Sequence, residues 1–227
     1  PFDEKRLVVT GNAVPVADHV QRQGAIPPYR LFSASQNGVL AYQAGTDAAT
    51  LAWVNREGQT LRTIREPANY KAIALSHDET RVAAVIGEPK DRALYIINLS
   101  NSVRTQVTFD HSGGFPVWSY DDRFIDFGGP PGVLNGFRKP SNGSGASERL
   151  LPDEKRPHFP FDRGSDESLL MMIQSDDHPG ADLTVLPATG NQAPFRLAST
   201  PQDKRIGKFS PNGLWVAYAS NERGSVQ

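Results

Sequence analysis

The side chains best placed by type to do chemistry are five histidines and three of the adjacent acid pairs. A zinc-binding helix sets two histidines four residues apart around a glutamate, as His-Glu-x-x-His. His19, His77, His111, His158 and His178 show no such spacing and are expected on the surface or in turns. The acid pairs are Asp121-Asp122, Asp166-Glu167 and Asp176-Asp177. A glycosidase needs two carboxylates ~5–10 Å apart across a sugar, one of them with a raised pKa. Neighbouring acids in a tight turn are ordinarily solvated instead, and that is the expectation for these. Asp176-Asp-His-Pro-Gly180 reads as a loop between strands, with a weak cation site as the sharper alternative.

Other catalytic signatures are absent. There is no Gly-x-Ser-x-Gly elbow, which serine hydrolysis on an α/β sheet requires. Ser141-Asn-Gly-Ser-Gly145 is glycine-rich but lacks the Lys-Ser/Thr end of a phosphate cradle, so it reads as a flexible hairpin loop. Asp126-Phe-Gly128 spells the metal-binding motif of kinases, but no glycine-rich loop, strand lysine or His-Arg-Asp loop accompanies it. With no cysteine there is no thiolate nucleophile, disulfide or Cys-based zinc site. No catalytic, cofactor-binding or metal-binding residue is therefore assigned, no cofactor is expected, and the chain is not expected to be an enzyme.

The elements that would have to position any site follow one repeated design. Five turns recur: Ser35-Gln-Asn37-Gly38, Ser76-His-Asp78-Glu79, Ser119-Tyr-Asp121-Asp122, Gly164-Ser-Asp166-Glu167 and Ser210-Pro-Asn212-Gly213. Their third residue is always Asn or Asp, at spacings of 41, 43, 45 and 46 residues. Asn and Asp bond the nearby backbone and tolerate left-handed dihedrals, which suits a tight hairpin. An apolar run follows each turn: Val39–Tyr42, Val82–Val85, Phe124–Phe127, Leu169–Met172 and Trp215–Tyr218. About ten residues on comes a second run, Leu51–Val54, Leu94–Ile97 or Leu183–Leu186, with only Gly136–Arg138 in the third unit. A short alternating strand then follows, at Leu61–Ile64, Val103–Val107, Glu148–Leu150 or Phe195–Leu197. Another strand precedes each turn, as in Phe115–Trp118 and Ile206–Phe209.

Four short strands per ~40–45-residue unit, with no capped helical stretch, predict an all-β chain built as a β-propeller of four-stranded antiparallel blades. A two-sheet sandwich is the rival, but it would not require turn chemistry to recur at this period. About five units are visible, four complete and one split between the termini, across residues 1–227 as a single propeller domain or propeller fragment. Pro1–Asp3 and Val14–Val16 read as the end of a third strand and a fourth, which would complete the last blade if the ring closes here. The chain opens at Pro1 without an initiator Met or a signal peptide, so a fragment is expected.

Composition agrees with a globular domain: 38% hydrophobic, 22% charged, and 20 glycines with 18 prolines, a surplus that favours turns. Its 24 basic and 25 acidic residues leave no basic excess for nucleic acid. The longest purely apolar runs, Val82–Ile86 and Leu169–Ile173, are five residues long and cannot span a membrane, so no membrane insertion by this segment is expected. Trp53, Trp118 and Trp215 fall on strands and are expected to pack between blades, with sugar or peptide stacking as the alternative. Arg62, Arg104, Arg149 and Arg196 recur in the fourth strands, which suggests stems covering apolar surface, or an anion-binding ring.

Phe209-Ser-Pro-Asn-Gly-Leu-Trp-Val-Ala-Tyr218 resembles the TolB-like (WD-repeat-like) propeller repeat. Pro1–Leu7, Gly38–Tyr42, Leu51–Gly58 and Trp215–Glu222 resemble the propeller region of bacterial serine/threonine kinase-like proteins. There the propeller follows a kinase domain and a membrane helix. The resemblance implies a non-catalytic sensor or interaction module on the extracytoplasmic, periplasmic or cell-surface side, binding a protein, peptide or envelope ligand. Two alternatives are the substrate-gating propeller of a prolyl-oligopeptidase-like peptidase and a free TolB-like envelope accessory protein. The third unit departs from the pattern at Gly128–Gly136, and the fourth at the irregular turn Phe161–Ser168.

Overall fold

A computed structural model describes residues 48–64, 67–88, 90–188, 193–197 and 200–221, with the strand backbone at 2–3, 8–9, 22–23, 29–30, 32–34 and 40–42. Two short ladders come first: β1 (Phe2–Asp3) with β2 (Val8–Val9), and β3 (Arg22–Gln23) with β4 (Tyr29–Arg30). The first blade is β5 (Phe32–Ala34), β6 (Leu40–Tyr42), β7 (Ala52–Val54) and β8 (Thr60–Thr63). The second is β9 (Tyr70–Leu75), β10 (Arg81–Ile86), β11 (Ala93–Asn98) and β12 (Arg104–Gln106). The third is β13 (Gly114–Trp118), β14 (Phe124–Gly128), β15 (Gly136–Pro140) and β16 (Glu148–Arg149). The fourth is β17 (His158–Arg163), β18 (Leu169–Gln174), β19 (Ala181–Leu186) and β20 (Phe195–Arg196). A fifth begins with β21 (Lys204–Phe209) and β22 (Val216–Ser220).

Every ladder is antiparallel, and strands pair in chain order within each blade. The first strands of successive blades lie side by side, so this is part of a propeller. Among the described residues no helix occurs, and none is long and apolar enough to cross a membrane. The split-blade expectation meets a different pairing. Phe2–Asp3 pairs with Val8–Val9, and no ladder joins β1 or β2 to β21 or β22 among the described residues. Val14–Val16 and the first turn, 35–38, lie outside the described residues.

The second strands of the second and fourth blades read as continuous apolar runs because both of their faces are covered. In β10, Val82 and Ala84 join Leu51 and Ile64 of the first blade, whereas Ala83 and Val85 join Trp118, Ile125 and Phe127 of the third. In β18, Leu170 faces the fifth blade with Phe209 and Val216, and Leu169, Met171 and Ile173 form a separate cluster with Leu150 and Leu151. Blades approach closely where a side chain is missing: a Cβ on Gly207 would lie 2.4 Å from Leu170 Cδ2.

The turns close by a bond from the N–H of the fourth residue to the first carbonyl, as in Glu79 to Ser76 and Asp122 to Ser119. The third-position carboxylate or amide accepts the N–H two residues on: Thr80 for Asp78, Arg123 for Asp121, Ser168 for Asp166 and Leu214 for Asn212. The left-handed residue is the fourth rather than the third, with φ of 58° at Glu79, 57° at Asp122, 65° at Glu167 and 69° at Gly213. The fourth blade's turn is irregular, as expected. Gly164 has no hydroxyl to accept the N–H five residues on, as Ser76 and Ser119 do, and instead its own N–H bonds Ser168 O, four residues away.

Candidate binding cleft between the third and fourth blades

The acid pairs do not behave alike, and their solvation as pairs is corrected by the structure. Asp121 is exposed, but Asp122 is buried and reaches into the second blade. Its Oδ2 accepts Asp78 N–H at 2.8 Å, and its Oδ1 accepts His77 N–H at 2.9 Å and faces the His77 ring at 3.1 Å. Glu167 repeats the move one blade on, accepting Tyr120 N–H at 3.0 Å. Ser141 is also buried, donating to Asp122 O at 2.9 Å, so the glycine-rich segment begins as a tether rather than a free loop.

Asp126 of the kinase-like triplet lies within β14 and is fully buried. Arg138 grips it with two bonds of 2.7 and 3.0 Å, and Arg163 of the fourth blade donates to the same carboxylate. Two guanidiniums occupy the oxygens a metal would need, so the triplet is an inter-blade latch. The position matches Ala83 in β10, which packs between blades through methyl contact.

That ionic latch serves the inner half of the interface between blades three and four. Its outer half opens into a cleft of about 450 Å³. One wall is the link from the third blade to the fourth, Leu151, Pro152, Asp153, Glu154 and Arg156. The other is the fourth blade itself, through Ile173, Asp182, Thr184, Leu186, Pro194 and Arg196. In β19, Leu183 and Val185 enter the core shared with the fifth blade, so Asp182, Thr184 and Leu186 turn to the opposite face and into the cleft. Ile173 and Leu186 belong to an apolar cluster with Leu151, which gives the cleft a hydrophobic floor. Between blades two and three, the buried Lys139 Nζ donates to Val107 O at 2.9 Å. A second opening, about 440 Å³, lies between blades one and two beside Trp53 and Arg62.

The cleft's charges are organised around its arginines. Arg156 binds Glu154 through Nε at 2.9 Å and Nη2 at 2.6 Å, and Asp176 through Nη1 at 3.0 Å. The Arg156 hydrogen bond is the main cause that brings Glu154 down to a pKa of about 2, against a partial upward push from burial. Arg196 pairs with Asp177 at 2.6 Å and lies 3.5 Å from Asp182. Asp182 also meets His178 Nε2 at 3.2 Å and the buried Lys204 ammonium at 3.5 Å. Burial pushes the Asp182 carboxyl up, but bonds from His178 and Ser175 and the Arg196 charge outweigh it, leaving a lowered pKa. Carboxylates held in the ionised form are poor general acids at neutral pH. Ser175 and His178 both bond Asp182, so the imidazole is not interposed between hydroxyl and carboxylate as a hydrolytic triad requires.

The remaining candidates disperse. Among the described residues, no three His, Asp or Glu side chains converge to hold a metal ion, and His19 lies outside them. His111 is exposed, as expected. His158 is not on the surface: it is fully buried at the start of β17, its Nδ1 2.8 Å from Arg156 O and its Nε2 without a partner. Trp118 packs between blades two and three and donates to Ala74 O at 3.0 Å. Trp53 is half-buried, and Trp215 is exposed. The fourth-strand arginines share no site. Arg62 reaches Ser100 O, Arg104 lies over the Tyr95 ring, Arg149 is exposed and Arg196 joins the cleft. Asp176–Gly180 is a loop, the first of the two readings its residues allow, whereas Glu154, Arg156 and Asp182 belong to no sequence motif. The polar alternation of Asp182 and Thr184 within an otherwise apolar strand was the available signal.

No protein-family model matches the chain, and no curated protein matches it in sequence. Solved structures do. TolB from Acinetobacter baumannii superposes with a TM-score of 0.69 at 21% identity, over 83% of this chain and 48% of that one. The β-propeller domain of the Trilobed protease from Pyrococcus furiosus gives 0.62 at 13%, over 87% of this chain and 64% of that one. Acylaminoacyl peptidase from Pyrococcus horikoshii gives 0.62 at 14%, over 86% of this chain and 36% of that one. The chain thus spans about half the length of the first of these and less than two thirds of the others. At these identities the likeness is one of fold: the chain has the architecture of TolB-like and peptidase-associated propellers.

Proposed function

We propose that this chain is a non-catalytic binding or sensing module of the TolB-like propeller type, part of a larger kinase-linked bacterial protein and working on the extracytoplasmic side. The observation that carries the reading is the cleft between blades three and four. It has a ligand-sized volume, an apolar floor, and two lining acids, Glu154 and Asp182, held in ion pairs. Pockets of ~300–1,000 Å³ hold small ligands or side chains. Groups fixed in this way recognise charge and shape and have no proton to exchange near neutral pH. The ligand in this reading is a peptide or a protein segment.

Selection of random displayed peptides on the wild-type chain, counter-selected on Leu186→Arg, tests the reading. Enriched peptides are expected to bind the wild type and lose affinity for the variant. Hydrolysis of ester, peptide or glycoside substrates at constant specific activity through repurification overturns it. The peptidase-gate reading is favoured by the likeness to acylaminoacyl peptidase. The reading frame on both sides of the chain separates the two: a kinase domain and membrane helix upstream support the sensor, and a Gly-x-Ser-x-Gly domain downstream supports the gate.

A further inference from the structure

We infer that the cleft between the third and fourth blades takes a basic, apolar-flanked peptide segment, with a lysine or arginine side chain inserted from its mouth. The inference rests on the binding reading above and names the ligand class. At the opening, Asp153, Glu154, Asp176, Asp177 and Asp182 stand against two guanidiniums, Arg156 and Arg196. The nearest further cation, Lys204, is fully buried behind Asp182, with its ammonium on Thr200 O and Gln202 O. Lys155 is exposed on the same link and, like Asp176 and Asp177, does not line the cleft; the charged residues that do line it are Asp153, Glu154 and Asp182 against Arg156 and Arg196. Both guanidiniums already bind carboxylates, so an anionic ligand would have to displace a partner at each. Asp153 is exposed, lines the cleft and has no ion-pair partner among the described residues. The mouth is therefore net negative, with one acid free to receive a cation.

The floor suits the rest of such a side chain. Leu151, Ile173 and Leu186 offer the apolar surface along which a lysine or arginine stem lies while its head stays at the wet rim. Pro152 and Pro194 at the lips give flanking apolar residues of a peptide a surface to cover. Charge at such a rim governs selectivity among partners more than total affinity.

The test uses fluorescein-labelled Leu-Arg-Ser-Arg-Leu, with Glu-for-Arg and Gln-for-Arg versions, followed by anisotropy on the wild-type chain. The Arg peptide is expected to bind about tenfold more tightly than the Gln peptide, and the difference to shrink in about 0.5 M NaCl. Asp153→Lys, at an exposed position, is expected to weaken the Arg peptide about tenfold, whereas Glu57→Lys on the first blade leaves it unchanged. Binding of the Glu or Gln peptide as tight as the Arg peptide, lost in Leu186→Arg, overturns the basic-ligand inference and leaves the cleft as a binding site. Equal effects of Asp153→Lys and Glu57→Lys overturn the placement in this cleft. If no peptide of any class binds up to about 5 mM, the binding reading falls with it.

Discussion

The carboxylate of Asp122 accepts the backbone N–H of Asp78 across 44 residues of sequence, at 2.8 Å. It ties the hairpin of the third blade to that of the second. Because Glu167 does the same for Tyr120, the fourth position of the turn in the third and fourth blades has two tasks. It adopts the left-handed conformation that closes its own hairpin, and it supplies an acceptor to the preceding one. Asp122→Ala removes the acceptor for two backbone donors and places a β-carbon residue without polar compensation at positive φ. It is expected to destabilise the chain by about 2–4 kcal/mol, and Asp122→Asn by less, because asparagine tolerates the backbone and keeps one acceptor. Urea unfolding midpoints check the order, and equal midpoints for wild type and Asp122→Ala would refute the clasp.

Asp126 makes the opposite kind of contact, a fully buried charge between two arginines. Removing the carboxylate takes its buried acceptor from both arginines, of which Arg163 is almost wholly shielded from water and Arg138 partly so. Asp126→Ala is expected to cost about 3–5 kcal/mol, with Arg163, 6% exposed, left with the half-buried Glu167 as its remaining carboxylate partner. A triple replacement with Asp126→Leu, Arg138→Met and Arg163→Met is expected to recover much of that loss, since apolar groups can fill the same space. Equilibrium unfolding of both variants measures the difference. A triple variant less stable than the single one contradicts this account.

Trp118, at the end of β13, and Trp215, just before β22, separate cleanly by burial. Trp118 is 2% exposed and Trp215 is 55% exposed. Trp118→Ala is expected to lose about 3–5 kcal/mol through the cavity and the orphaned Ala74 carbonyl. Trp215→Ala is expected to stay within about 0.5 kcal/mol of wild type. Thermal and denaturant melts of the pair report this directly.

The Glu154–Arg156 pair gives a pH prediction. With a folded pKa of about 2 against an ordinary 4.5, Glu154 contributes stability fully above about pH 4.5. That contribution is lost as pH falls through about 2. The gap in urea midpoint between wild type and Glu154→Gln is therefore expected to be constant near neutral pH and to close between about 4.5 and 2. A gap that widens on acidification contradicts the assignment.

The local and periodic part of this protein is legible in its residues alone. Asn or Asp at the third turn position, the apolar run after it and the recurrence at 41–46 residues specify hairpins and four-stranded units. Those signals involve residues within a few positions of one another, and each acts through its own backbone. The same reading names Asn and Asp as tolerant of left-handed dihedrals, whereas in the fold Asp78 and Asp121 accept the bond and the positive φ falls on the next residue, Glu79 or Asp122. It put Asp122 in water and His158 on the surface, because neither local pattern says which neighbour arrives from another blade.

Tertiary structure alone decided which face of each strand meets which blade. Asp126 is a latch because Arg163, 37 positions away, enters from the next blade. The cleft exists because β19 turns Leu183 and Val185 toward one neighbour, leaving Asp182, Thr184 and Leu186 facing the other, where the link 151–156 covers them only in part. Alternation along a strand is a property of the backbone. How far the adjacent blade reaches across that strand depends on packing between units dozens of residues apart.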